Sequence, residues 1–172
     1  GERSALNFLQ VLSSTSTRTR EYLNVLKDSG VQNCQIVDTR KTVPGLRLAQ
    51  KYAVRLGGGK NQRFGLWDAL LLKENHLISV GGLKSLVDLI EVIDSKEQDR
   101  KLLQIEVETM EEYKLAMSLG FNHILLDNFS ISELAKAVEN RITGVTLEAS
   151  GGINLNNLLE YIRTGVDRIS IG

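Results

Sequence analysis

The stretch Asp38–Arg47, DTRKTVPGLR, gathers a carboxylate, hydroxyls and cations where one apolar run ends. Cys34–Val37 reads as a short buried strand, and Asp38, Thr39, Arg40 and Lys41 leave its end together. Guanidinium forks and ammonium groups suit carboxylate and phosphate ligands. Pro44 and Gly45 then turn the chain into the next segment. Later apolar runs end in further reactive groups: Lys73, then Glu106 and Glu108, then Asp127, then Glu148 with Ser150, Gly151 and Gly152, and last Gly172. Glu106 and Asp127 can hold a hard cation such as Mg²⁺, largely through water. They can equally serve as a general acid and base, or pair with Lys73 or Arg40 in a structural ion network. Lys73 can bind phosphate or act as a Schiff-base nucleophile. Ser150-Gly151-Gly152 and, further on, Ser170-Ile171-Gly172 suit a phosphate cradle, because glycines let backbone N–H groups approach phosphate oxygens. Glycines there also suit plain strand-to-helix turns.

These groups meet only if the apolar runs are parallel strands with their carboxyl ends on one rim. The pattern predicts six such strands: Cys34–Thr39, Ala69–Lys73, Leu102–Val107, His123–Asp127, Val145–Ala149 and Arg168–Ile171. Helical periodicity separates them, as in Leu83, Leu86, Val87, Ile90 and Ile93, or Leu155, Leu158, Leu159 and Ile162. Ser130 and Glu133 carry a capping-box signature. Strand cores read as continuous apolar runs, which points to an α/β fold. The expected architecture is a six-stranded parallel (β/α) barrel resembling an incomplete TIM barrel. No GxGxxG opens a helix after the first strand, which disfavours a doubly wound sheet. Before that strand, two helical pieces are expected, one over Ser4–Leu12 and one carrying Tyr22, Leu23 and Leu26, with the Ser13–Thr19 cluster interrupting them. His123, at a strand start, is expected to be structural, and His76 to order a loop or reach the rim.

The 172 residues suit one domain with a sizeable core. Basic and acidic residues balance at 21 each, which disfavours nonspecific nucleic-acid or membrane-surface binding. Cys34 is the single cysteine, so no internal disulfide forms; a reducing, cytoplasmic setting is expected, with Cys34 buried as a small apolar group. No apolar run approaches the ~18–20 residues of a membrane span. Gly1 opens the chain beside a helical pattern, and Gly172 ends it just after a strand. The expectation is a central portion of a longer polypeptide.

Together, DTRKTVPGLRLAQKYAVRLGGGKNQRFGLWDALLLKENH, EVET, ILLDN, EASGGI and ISIG resemble quinolinate phosphoribosyltransferase, the carboxylating nicotinate-nucleotide pyrophosphorylase family. The resemblance runs from GERSALNFLQ to ISIG, essentially the whole chain. It implies that residues 1–172 are a phosphoribosyltransferase barrel domain cut from a two-domain protein, without an amino-terminal sandwich domain and a carboxyl-terminal return segment. It implies transfer of phosphoribosyl from phosphoribosyl pyrophosphate to quinolinate, with decarboxylation to nicotinate mononucleotide, in NAD biosynthesis. By the same resemblance Arg40, Lys41 and Arg63 hold the quinolinate carboxylates, Thr39 and Gln62 are further substrate-binding residues, and Arg3 serves the neighbouring site of a homodimer. Lys73, Glu106 and Asp127 are catalytic, with Mg²⁺ near Glu106 and Asp127. Lys73, Ser150, Gly151, Gly152, Ile171 and Gly172 bind phosphate. Two segments depart from the family pattern. Asn61-Gln62-Arg63 stands where N-H-R is usual, and Leu12-Ser13-Ser14-Thr15-Ser16-Thr17 stands for LSGIAT. Gln62 can hydrogen-bond a carboxylate but carries no imidazolium charge. Three other readings are a related pyrophosphorylase acting on another base, a Schiff-base lyase centred on Lys73, and a catalytically silent phosphate-binding module.

Overall fold

A computed structural model describes residues 1–65, 70–72 and 103–172. Lys73, His76 and the helix expected around Leu83–Ile93 lie outside the described residues. In chain order the elements are α1 (Glu2–Asp28), β1 (Gln35–Val37), α2 (Arg47–Gly57), β2 (Leu70–Leu72), β3 (Leu103–Val107), α3 (Met110–Ser118), β4 (His123–Asp127), α4 (Ile131–Glu139), β5 (Thr146–Ser150), α5 (Leu158–Arg163) and β6 (Arg168–Ser170).

All strand pairs are parallel, in the spatial order β1-β6-β5-β4-β3-β2. Each strand lies beside its neighbour in sequence except at one place, where the first pairs with the last. That cyclic order is the order of a barrel, and the expected six-stranded α/β architecture holds. On the other edge of β1 a short extended piece pairs instead, through a parallel Val37–Lys60 bridge. It is held by Lys60 N donating to Ile36 O (2.9 Å) and Asp38 N donating to Lys60 O (3.1 Å).

The strands are not uniformly apolar. On β3 Leu103, Ile105 and Val107 join the helix-covered core, while Gln104 and Glu106 alternate with them and face the barrel axis. On β4 Ile124 and Leu126 pack outward, and on β5 Leu147 and Ala149 do so. The alternate positions carry His123 and Asp127 on β4, and Glu148 and Ser150 on β5. The continuous run holds at Ile124–Leu126, where Leu125 is buried as well, while the interior positions Gln104, Glu106, His123, Asp127, Glu148 and Ser150 are polar. Outside the barrel interior Tyr113, fully buried, donates its hydroxyl to Ala137 O (2.7 Å) and ties α3 to α4. Cys34 is buried in the same core, and burial pushes its thiol up to about 11. Two capping boxes start helices: Ser130–Glu133, as expected, and Thr109–Glu112.

The amino-terminal helix corrects another expectation. Glu2–Asp28 is a single helix, and the Ser13–Thr19 cluster does not interrupt it. Thr15 and Thr19 donate their hydroxyls to the carbonyls four residues back, Val11 O (3.0 Å) and Thr15 O (2.8 Å). The small side chains there are also a packing surface. A Cβ on Gly57 would sit 2.6 Å from Ser16 O, and one on Gly59 would sit 2.8 Å from Thr19 Cγ2. The Gly57–Gly59 run thus ends α2 and also lets α1 cross close against it. No helix among the described residues is long and apolar enough to cross a membrane.

Candidate functional site

Strand register levels the carboxyl ends around one rim. Asp127 lies opposite Ser150, Leu126 opposite Val107, and Val37 opposite Ser170. Thr39, Lys41, Asp127, Ser150 and Gly172 therefore follow or end adjacent strands at the same level. A Cβ placed on Gly172 would lie 3.8 Å from Thr39 Oγ1 and 4.0 Å from Lys41 Cδ. The cationic stretch after β1 and the glycine after β6 are direct neighbours.

Asp38 supplies the foundation of this corner rather than a ligand. Its buried Oδ1 accepts from Lys51 Nζ (2.6 Å) and Gln62 N (2.8 Å), and Oδ2 accepts from Asn61 Nδ2 (2.7 Å). Lys51 is 0% exposed, donates also to Gln62 O (2.9 Å), and lies 5.1 Å from the Phe64 ring centroid. Arg47 braces the loop above, donating to Thr42 Oγ1, Arg40 O and Phe64 O, each at 3.3 Å. Neither Lys51 nor Arg47 was singled out from the sequence. The spacing of α2 gives no sign of them: its apolar side chains Leu48, Tyr52 and Leu56 are 73%, 61% and 59% exposed while Lys51 faces inward, the reverse of an ordinary amphipathic helix.

This scaffold brings Arg63 beside Arg40 and Glu106. Burial and, after it, the like charge of Arg40 press the Arg63 guanidinium below its ordinary pKa, while Glu106 pulls the other way. Two guanidiniums within electrostatic reach of each other suit a dicarboxylate ligand. The ligand oxygens of Glu106, Glu108 and Asp127 all lie within 4.8 Å of one another. Three hard oxygen donors this close fit a divalent cation such as Mg²⁺. Glu108, read only as a strand-end acid, joins the pair expected from the sequence.

The glycine turn after β5 has little steric slack. Gly151 has φ +100°, and a Cβ there would land on Asn128 Oδ1 and 2.9 Å from Asn128 N. Asn128 is itself left-handed (φ 57°), with its N–H donating to Ser150 O (2.9 Å). The Gly152 carbonyl accepts from Asn154 Nδ2 (3.3 Å) and Asn157 Nδ2 (3.2 Å). Gly151→Ala should cost about 1–3 kcal/mol by denaturant unfolding, from the strained backbone and the clash. Asn128→Gly in the same chain should recover part of that loss.

Glu148 does not belong on the rim where its sequence position suggested. It is 0% exposed, one layer below Ser150. Its Oε1 accepts from Gln62 Nε2 (2.6 Å) and from the Ser170 hydroxyl, and its Oε2 lies 3.2 Å from Gln104 Nε2, 3.1 Å from His123 Nε2 and 3.6 Å from Arg168 Nε. Gln62 does donate to a carboxylate as its chemistry allows, but that carboxylate is Glu148. His123 is structural, as expected, and is part of this buried cluster. Burial alone would raise the Glu148 pKa; the His123 hydrogen bond, the Arg168 charge and the Ser170 hydroxyl outweigh it and hold the pKa low. A depressed carboxylate stabilises the fold above its ordinary value of 4.5 and loses that contribution as pH falls through its lower folded value. Unfolding midpoints measured between about pH 6 and about pH 3 should therefore fall as the pH drops below about 4.5 in the wild type, and more shallowly in Glu148→Gln.

A cavity of ≈ 290 Å³ adjoins the Thr39–Lys41 corner, between α1, α2 and the ends of β1 and β6. Ser14, Thr15 and Arg18 line it from α1, opposite Lys41 and Gly172. The departure from LSGIAT therefore falls on a cavity wall. Arg3 is not drawn to the rim; it sits exposed in the first turn of α1.

Known proteins share this fold and much of this sequence. Residues 15–172 match the family described as quinolinate phosphoribosyl transferase, C-terminal domain. The chain is 38% identical over 172 residues to a probable carboxylating nicotinate-nucleotide pyrophosphorylase of Bacillus subtilis, covering 100% of this chain and 57% of that protein. It is 38% identical over 174 residues to the carboxylating nicotinate-nucleotide pyrophosphorylase of Mycobacterium leprae, covering 99% of this chain and 59% of that protein. The solved nicotinate-nucleotide pyrophosphorylase of Francisella tularensis superposes with a TM-score of 0.88 at 42% identity, over 99% of this chain and 59% of that one. The chain thus spans under two thirds of the length of these relatives. With its parallel barrel order, its cationic corner beside a glycine turn and a family match over nearly its whole length, the chain belongs to the quinolinate phosphoribosyl transferase family, as its C-terminal domain.

Proposed function

We propose that the complete protein transfers phosphoribosyl from phosphoribosyl pyrophosphate to quinolinate and releases carbon dioxide, giving nicotinate mononucleotide. One observation carries this reading: the cationic stretch after β1 abuts the glycine after β6, with Thr39 and Lys41 against Gly172 and Arg40 within electrostatic reach of Arg63. The cations suit the two carboxylates of quinolinate, and the glycine turns after β5 and β6 suit the 5′-phosphate of the sugar.

In this reading Arg40, Lys41 and Arg63 hold the acceptor so that its ring nitrogen faces the anomeric carbon, with Thr39 at the edge of that pocket and Gln62 behind Arg63, its amide held by Glu148. Ser150, Gly151, Gly152, Ile171 and Gly172 fix the sugar through its phosphate. Positive charge builds on the sugar as pyrophosphate departs, and Glu106 and Asp127 stand where they stabilise it. Mg²⁺, bound by the Glu106–Glu108–Asp127 cluster, would supply charge that steadies the pyrophosphate. Lys73 acts beside the phosphoribosyl substrate. Once the ring nitrogen is quaternary, the electron pair left by departing carbon dioxide is stabilised next to it and then takes a proton.

A homodimer completes the proposal. The half of α1 that carries Arg3 leaves Leu6, Phe8, Leu9 and Val11 exposed, and α2 exposes Leu48, Tyr52 and Leu56. Such patches suit a partner surface, with Arg3 reaching the neighbouring site. A cytoplasmic setting accords with the single buried thiol.

The test is incubation of the complete protein with quinolinate, phosphoribosyl pyrophosphate and Mg²⁺, with nicotinate run in parallel. Nicotinate mononucleotide and carbon dioxide from quinolinate are expected. Product from nicotinate alone would favour a related pyrophosphorylase. Borohydride trapping of Lys73 with a carbonyl substrate would favour the lyase.

A further inference from the structure

Glu148 lies outside the cationic corner and the glycine turns, yet it is bonded to a residue adjoining each. Gln62, whose Nε2 donates to Glu148 Oε1 (2.6 Å), immediately precedes Arg63. Ser170, whose hydroxyl donates to the same oxygen, stands two residues before Gly172. The other oxygen is fixed by Gln104 (3.2 Å) and His123 (3.1 Å) from below and by Arg168 (3.6 Å) alongside, so the carboxylate is locked in orientation from three strands. Above it, Asp38 receives the Gln62 N–H (2.8 Å), so residue 62 is pinned by both backbone and side chain. Displacing Ser170 or Gln62 therefore moves the shared oxygen against its partner.

We propose that Glu148 is a positioning residue that couples the acceptor-binding cations to the phosphate cradle, its single Oε1 setting Gln62–Arg63 and Ser170–Gly172 against each other. The inference rests on the proposed function for the identity of the two ligands. Its consequence is specific: a lesion on the phosphate side should be felt on the carboxylate side. A purely structural cluster would lower stability without linking the two affinities.

The deciding variant is Ser170→Ala in the complete protein, which removes one donor to Oε1 and leaves the acceptor pocket untouched. Calorimetry with quinolinate and with inorganic phosphate reads each affinity separately, and steady-state kinetics read KM against kcat. Ser170→Ala should weaken quinolinate binding by about 3- to 10-fold, the worth of one buried hydrogen bond, and phosphate binding alongside it. KM for both substrates should rise while kcat changes by less than about 2-fold, the pattern of lost positioning for binding. Glu148→Gln should act on both ligands too; should it fail to fold, Ser170→Ala decides alone. Weakening of phosphate alone, or unchanged affinities with a lowered Tm, overturns the proposal. Wild-type protein that binds both ligands but forms no product defeats the proposed function, and the coupling is still read from the two affinities. Wild-type protein that binds neither ligand defeats both.

Discussion

Lys51→Met should destabilise the protein by about 3–5 kcal/mol, the usual cost of removing one member of a buried ion pair. Lys51 has no exposed surface, and its ammonium gives hydrogen bonds to Asp38 Oδ1 (2.6 Å) and Gln62 O (2.9 Å). Methionine fills the same space but leaves the Asp38 charge buried with only the Asn61 amide and the Gln62 N–H as donors. The Phe64 ring face loses its cation as well. Urea unfolding followed by circular dichroism measures the loss. A drop of less than ~1 kcal/mol would show that Asp38 finds another partner or water and that the pair is not what holds this corner. Adding Asp38→Asn should return part of the stability, because an uncharged pair costs far less to bury than a lone carboxylate. The double variant should still bind quinolinate poorly, since the segment that ends in Arg63 hangs on Asp38.

That corner also shows which parts of the molecule could be read from sequence. The strands were legible because apolar runs of strand length recur between helical patterns, and β4 falls on His123–Asp127 as expected. The Ser130–Glu133 box was legible because its chemistry is local: both partners lie within one helical turn. Non-local pairings were not legible. Lys51 sits in a helix that exposes Leu48, Tyr52 and Leu56, so ordinary amphipathic reasoning turns α2 the wrong way round. The partner at Asp38, in another element, accounts for the inward lysine. Glu148 misled for a related reason. Counting from the strand's end placed it on the rim, whereas the two-residue period of β5 places it below Ser150, facing His123 and Arg168 from adjacent strands. The Ser13–Thr19 cluster reads as a break because it interrupts the apolar spacing of Ala5, Leu6, Leu9 and Leu12. Here those hydroxyls bond back to the helix, and their small size admits Gly57 and Gly59.

The candidate site divides along the same line. The cationic corner, the acidic pair and the glycine turns were each visible as residue types at strand ends. Their proximity came from register, which sets Asp127 beside Ser150 and Val37 beside Ser170. What sequence could not convey was the buried layer that orients them. Gln62, offered as a pocket residue, hands its amide to Glu148, and Arg47, within the most prominent motif, is a brace for backbone carbonyls. A motif of charged residues therefore mixes groups that meet the ligand with groups that hold those in place.

Arg40→Ala separates these two roles most sharply. Under the proposed function it should weaken quinolinate binding by roughly 2–4 kcal/mol, from about two charge-assisted hydrogen bonds with incomplete additivity. That is roughly a 30- to 700-fold rise in Kd. The ligand-free protein should respond in the opposite sense. Arg40 and Arg63 repel, and burial already presses on Arg63, so removing Arg40 relieves a cost carried in the absence of ligand. The Tm of Arg40→Ala without ligand should match or exceed that of the wild type, as expected where function holds like charges together. The backbone is spared, because Arg47 grips the Arg40 carbonyl and not its side chain. Calorimetry with quinolinate and thermal unfolding on the same preparations measure both effects. An unchanged quinolinate affinity would remove Arg40 from the acceptor pocket. A lowered Tm would make it another brace, alongside Arg47. Weaker binding together with undiminished stability would mark Arg40 as a group whose charge is balanced only by the ligand.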